Sequence, residues 1–179
     1  SIICSDKTGT LTQNKMTTKQ IFVDNSLIES EDIKFNDNLV QKDLMRAAIL
    51  CNDSTSVDGK EIGDPTEVAL VNLGHVHSLN EQDVRDEFKR LKEIPFDSDR
   101  KCMTTVHNID EKIIAYTKGA VDEILDLCTK ILTSKGERNI TEVDKKNIHE
   151  LCLNMSKDAL RVLRFAKREI SSIPKEDSE

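Results

Sequence analysis

The 179 residues suffice for one domain with a real hydrophobic core. A net charge of -7 and a sequence pI near 5.2 argue against a nucleic-acid partner. Five cysteines without Cys-x-x-Cys spacing read as free thiols in a reducing compartment, and no apolar run approaches the roughly 20 residues of a membrane span. No signal peptide is recognisable, so the chain is expected to be soluble on its own.

In chain order, Ile2 and Ile3 lead into Cys4-Ser5-Asp6-Lys7-Thr8-Gly9-Thr10-Leu11-Thr12. A short apolar run ending in a polar turn reads as a buried strand with reactive groups at its carboxyl end, where ligands of open α/β sheets bind. An aspartate placed there can attack a phosphoryl group, while Lys7, Thr8 and Thr10 neutralise and orient it. A hairpin is expected over 17–27 around Asp24-Asn25-Ser26, and 29–38 reads as polar loop. Val40, Leu44, Ala47, Ala48 and Cys51 predict a helix over 39–51, and the composition of 52–60 predicts a loop. Asp64 as cap, Pro65 at the first helical position and Glu67 three residues after the cap open a helix expected to stop near Gly74.

A helix over 80–91 follows from Val84, Phe88 and Leu91. Residues 102–109 and 112–117 read as a hairpin around Asp110-Glu111, closed by Lys118-Gly119. Val121, Ile124, Leu125, Cys128, Ile131 and Leu132 mark an amphipathic helix. Thr141 and Asp144 open another, with Ile148, Leu151, Cys152 and Met155 on one face, and 160–165 suits a final strand. These signals predict an α+β fold, an antiparallel β-sheet flanked by helices.

The run from Asp6 to Thr12 resembles, at every position, the phosphorylation motif of the P-type ATPases, and Gln13-Asn14-Lys15-Met16 extends the match towards the calcium-pump-like branch. The resemblance implies that Asp6 is the phosphorylated nucleophile, assisted by Lys7 and Thr8, with Mg²⁺ held at Asp6 and Thr8. Soluble phosphatases of the same HAD superfamily resemble Asp-x-Asp-x-Thr, whose second Asp serves as acid and base. Thr8 stands at that position and cannot take a proton at neutral pH, so a phosphoenzyme at Asp6 would persist, as suits a pump. A pure interaction module would leave the segments described next without a purpose.

Four of those segments resemble the family's ATP-binding motifs, in the family's order. Gly63-Asp64-Pro65-Thr66-Glu67 resembles the segment whose Glu approaches the adenine amino group, although Glu67 also suits a capping box. Pro95-Phe96-Asp97-Ser98-Asp99-Arg100-Lys101-Cys102-Met103 resembles Phe-Ser-x-x-Arg-Lys-x-Met, which implies that Phe96 stacks on adenine with Lys101 and Met103 nearby and Arg100 supporting the loop. Ser98 departs from the Arg often found there in calcium-pump relatives. Thr117-Lys118-Gly119-Ala120 resembles the Lys-Gly-Ala segment, which implies Lys118 and Gly119 at the adenine pocket or near the phosphates. Ala159-Leu160-Arg161-Val162-Leu163 resembles Leu-Arg-x-Leu, which implies Arg161 on ribose or phosphate, with Arg164 and Arg168 as alternatives.

Carried over, the resemblance implies a phosphorylation-motif stub and hinge over 1–16, a nucleotide-binding domain over 17–170 and a polar tail over 171–179 leading to a second hinge. It implies ATP and ADP as ligands, Mg²⁺ in the whole pump, and the remaining phosphorylation, actuator and membrane domains as partners. The segment is expected to be monomeric and to lie at the cytoplasmic face of a multi-pass membrane protein.

Overall fold

In the computed structural model the described residues are 15–35 and 37–175. The stretch from Asp6 to Thr12, with the expectations placed on Asp6, Lys7 and Thr8, lies outside them. A two-stranded hairpin comes first, β1 (Gln20–Val23) and β2 (Ser26–Glu29). Its turn residues Asp24 and Asn25 both take positive φ, the two-residue turn that matches strand twist. Ile21 and Val23 on β1 face inward and meet Ile33 and Phe35. The 29–38 stretch is therefore not simply polar loop: after a single 3-10 turn at Ser30–Asp32 it drops two apolar anchors into the core.

Helix α1 (Leu39–Leu50) begins where expected, with the Asn38 side chain accepting from the amides of Val40 and Gln41. The predicted loop that follows contains a small hairpin, β3 (Thr55–Val57) and β4 (Lys60–Ile62), turned by Asp58-Gly59 with both residues at positive φ. Helix α2 (Pro65–Val76) is capped by Asp64 but runs past Gly74 to Val76, with His77 as its C-cap. Gly74 is an approach point and not a stop: a Cβ there would sit 3.2 Å from Ile49 Cδ1 of α1. Helix α3 (Glu81–Glu87), capped by Asn80, is shorter than expected. Phe88 caps its end and is buried under the Arg46 guanidinium, and the chain then becomes strand.

The main sheet is antiparallel with strand order β10-β7-β6-β5. It comprises β5 (Arg90–Asp97), β6 (Cys102–Ile109), β7 (Lys112–Gly119) and β10 (Arg164–Ile170). The β6–β7 turn uses Asp110 and Glu111, as expected, both left-handed. The long helix expected from Val121 is instead α4 (Val121–Leu127) followed by a hairpin, β8 (Lys130–Thr133) and β9 (Gly136–Asn139). Helix α5 (Glu142–Lys157) carries the Thr141–Asp144 capping box in full. The final strand starts at Arg164, four residues later than expected, because Ala159 takes a left-handed conformation and Leu160 N–H closes on Met155 O.

Strand alternation divides the sheet's side chains between two helical layers. Thr105, Tyr116 and Lys167 point to one face, where Thr105 donates to Leu50 O and both Tyr116 and Lys167 reach Asp43 of α1. Arg164, opposite Gly119 in register, points to the other face and meets Cys152 of α5. The expected α+β architecture is thus the observed one, with helices on both sides of the sheet.

Candidate nucleotide-binding site

The described strand segments that carry the motifs meet at one end of the main sheet. In register, Cys102 lies opposite both Asp97 and Gly119, Met103 opposite Lys118, and Phe165 opposite Lys118 on the far side. The end of β5, the start of β6, the end of β7 and the start of β10 therefore meet there.

Phe96 owes its position to β5 being an edge strand. An edge tolerates Pro95, which has no amide to donate, and the pairing is interrupted between Ile94 and Asp97. An irregularity of this kind re-aims side chains. Phe96 is left 65% exposed, while the other four phenylalanines are buried or half-buried. The loop after it is held by the Asp97 carboxylate, which accepts from the amides of Asp99 and Arg100; these bonds keep its pKa below the usual value.

Lys118 is buried, and its Nζ donates to Glu67 Oε1 at 2.5 Å, with side-chain exposures of only 8% and 17% for the pair. A buried ammonium requires an anion beside it. Glu67 supplies one from the first turn of α2. Its other oxygen, Oε2, accepts from Asp53 N–H (3.0 Å) and Ser54 Oγ (3.2 Å). The expected capping box at Asp64 is not formed, because the Glu67 carboxylate is drawn across to Lys118; Asp64 alone caps by accepting from Thr66 N–H.

The remaining residues take different places. Met103 is buried in a cluster with Leu50, Cys51, Phe88 and Tyr116, so it forms the floor beneath the sheet end. Beside it burial pushes the Cys51 thiol up to about 11. Gly119 is required by close approach: a Cβ would lie 2.4 Å from Lys101 O and 2.6 Å from Cys102 Cβ. Lys101 does not join the group; at positive φ it turns outward and binds Glu123 at 2.5 Å. Arg161 is exposed in the segment before β10, close enough to α2 for its charge to act on Asp64. Burial alone would raise that carboxyl, but hydrogen bonds from Thr66 and from the Glu67 amide, together with Arg161, hold it below its usual value. Arg164, by contrast, is half-buried against Cys152 and Cys128, where burial lowers its own pKa.

Sequence reasoning missed Asn52, Ser54, Arg85 and Arg90. Arg85 and Arg90 donate to the carbonyls of Ile49, Leu50, Asn52 and Ser54 at the carboxyl end of α1, and so fix the turn that touches Glu67. Nothing local marks this, since the partners are more than 30 residues away. A cavity of about 380 Å³ adjoins this turn, lined among others by Asn52, Arg85, Phe88 and His107. Its arginines are engaged by carbonyls and carboxylates, so we place the candidate site at the open sheet end instead. An exposed ring, a carboxylate anchored on three donors and an exposed arginine suit a flat, partly apolar ligand that carries amino and anionic groups.

Comparison with known proteins identifies the family. The family model described as P-type ATPase, cytoplasmic domain N, matches residues 40–179. A calcium-transporting ATPase of Bacillus cereus is 45% identical over 172 residues, which is 96% of this chain and 19% of that protein. A calcium-transporting ATPase of Listeria monocytogenes is 40% identical over 167 residues, 92% of this chain and 19% of that protein. One from Lactococcus lactis is 38% identical over 175 residues, with 96% and 19% covered. This chain thus spans about a fifth of the length of these relatives, and among its described residues no helix is long and apolar enough to cross a membrane. It belongs to the family of the cytoplasmic domain N of P-type ATPases.

Proposed function

We propose that this chain is the ATP-binding segment of a cation pump that transports calcium, and that it holds adenine at the sheet end and presents the γ-phosphate to Asp6. The observation that carries the reading is the exposed Phe96 at the same sheet end as the buried Glu67–Lys118 pair. Phe96 stacks on the base, which contributes about 0.5–1.5 kcal/mol beyond area burial. Glu67 accepts from the exocyclic amino group, Lys118 holds the carboxylate in place, Met103 closes the floor and Gly119 lets the backbone come close. Arg161, beyond the start of α2, serves ribose or phosphate. Lys101 joins only when Glu123 releases it. Asp6, Lys7 and Thr8 would accept the phosphoryl group, and Mg²⁺, held at Asp6 and Thr8, would neutralise its charge in the whole pump. Calcium is favoured because the relatives described above are calcium-transporting ATPases.

Away from the other parts of the pump that would complete the phosphate half around Asp6, Lys7 and Thr8, this chain relies on stacking and a few hydrogen bonds. Its Kd for ATP should be on the order of a millimolar, about 4 kcal/mol, with ADP similar and Mg²⁺ adding little. An NMR titration of the parent, Phe96→Ala and Asp6→Ala tests this. Phe96→Ala should lose detectable binding and Asp6→Ala should bind like the parent. Undiminished binding by Phe96→Ala would place the nucleotide elsewhere.

A further inference from the structure

The turn after α1 does more than connect two elements. Asn52, fully buried, donates from Nδ2 to Ala48 O of α1 and to Glu67 O of α2, and its Oδ1 accepts from Ser54 N–H at 2.8 Å. One side chain therefore fixes the backbone of Glu67 relative to Ser54. Ser54, also fully buried, has a single hydroxyl proton and two acceptors in reach, Asp64 O at 3.5 Å and Glu67 Oε2 at 3.2 Å. The nearer, charged acceptor forms the stronger bond. Space for this hydroxyl exists only because residue 63 is glycine. At φ +120, a Cβ on Gly63 would lie 2.0 Å from Ser54 Oγ.

An ionised carboxylate has about four acceptor sites. Lys118 takes one at Oε1, and Asp53 N–H and Ser54 Oγ take two at Oε2, which leaves one for a ligand donor. A free glutamate at a pocket rim would sample many rotamers. Here the rotamer is set before any ligand arrives, so the ordering cost is already met by the fold.

We propose that Ser54, admitted by Gly63, is a positioning residue that aims the Glu67 carboxylate at the exocyclic amino group of the base, and so sets the preference for a 6-amino over a 6-oxo purine. This rests on the reading that Glu67 meets the base. A carboxylate accepts from an amino group but opposes a carbonyl, so ATP and ITP, which differ at that position, are the probes.

The test titrates the parent, Ser54→Ala, Glu67→Ala and the double variant with ATP and ITP by NMR, and follows hydrogen exchange of the Asp53 amide. Ser54→Ala should keep a folded spectrum and lose about three- to tenfold of the ATP preference, the net size of one typical hydrogen bond, because the carboxylate keeps its bonds from Lys118 and Asp53. ITP affinity should stay constant and Asp53 exchange should quicken. In the Glu67→Ala background, Ser54→Ala should change the preference no further. A Ser54→Ala chain that keeps both preference and protection overturns the proposal, as does an equal loss in the Glu67→Ala background. A parent without any preference refutes instead the contact of Glu67 with the base, and with it this role for Ser54.

Discussion

Replacing Lys118 by Met keeps the apolar stem and removes the charge that Glu67 needs. Breaking a buried pair from one side typically costs about 3–5 kcal/mol, because the remaining charge stays buried without compensation. Two features place this case near the lower end: Glu67 keeps its bonds from Asp53 and Ser54, and its side chain retains some contact with water. We expect a loss of about 3 kcal/mol, a sizeable part of the 5–15 kcal/mol that holds most domains folded. For a chain of this size that lowers Tm by about 6–12 °C. Adding Glu67→Gln to Lys118→Met removes the orphaned charge while leaving a carbonyl for Asp53 and Ser54, so it should recover about 2 kcal/mol. Urea unfolding followed by circular dichroism measures all three proteins. A Lys118→Met variant within 1 kcal/mol of the parent, or a double variant no more stable than the single, would show that Glu67 does not depend on Lys118 for its charge to be tolerated.

Two more predictions concern the fold around the site. Gly119→Ala should destabilise by about 3 kcal/mol or more, because the new methyl meets the Lys101 carbonyl and Cys102 Cβ within β6 and its approach, where little can give; urea unfolding within 1 kcal/mol of the parent would contradict this. His107, 1% exposed, faces Phe88 O through Nδ1, which must therefore carry the proton, and burial lowers its pKa. A histidine held neutral contributes stability that is complete above its unfolded value of about 6.5 and is lost as pH falls towards the folded value, at up to about 1.4 kcal/mol per pH unit. His107→Asn should flatten that part of the profile, and an unchanged slope between pH 6.5 and 5 would exclude His107 as its source.

What was legible in the sequence is what is local. Asn or Asp at Asp24-Asn25 and Asp110, the Asp64-Pro65 start and the Thr141–Asp144 box each act within four residues, and each lies where it was expected. Asp58-Gly59 carried an equally local turn signal that polar composition masked. Misreadings arose where two periodicities fit the same letters. Phe88 and Leu91 sit at helical spacing, yet the chain turns to strand at Arg90 because β5 completes the sheet on β6. Ile131 and Leu132 continue the helical pattern from Ile124, but the chain leaves the helix after Leu127 and pairs Lys130 with Asn139. At the site, resemblance singled out Glu67, Phe96 and Lys118, but not their relationship. Glu67 and Lys118 are 51 residues apart, and only the folded sheet shows that each is the other's counter-ion. Ser54 was hidden for the same reason.

A purine base resting on Phe96 at the open end of the sheet would bring its ring protons within NOE range of that side chain. Isotope-filtered NOE spectroscopy on the labelled chain with unlabelled ATP observes that contact directly. Cross-peaks from adenine H2 or H8 to the Phe96 ring, accompanied by contacts to the Lys118 side chain, are the expected result. Saturable binding with adenine cross-peaks confined to other residues, such as those lining the Arg85–His107 cavity, would contradict it.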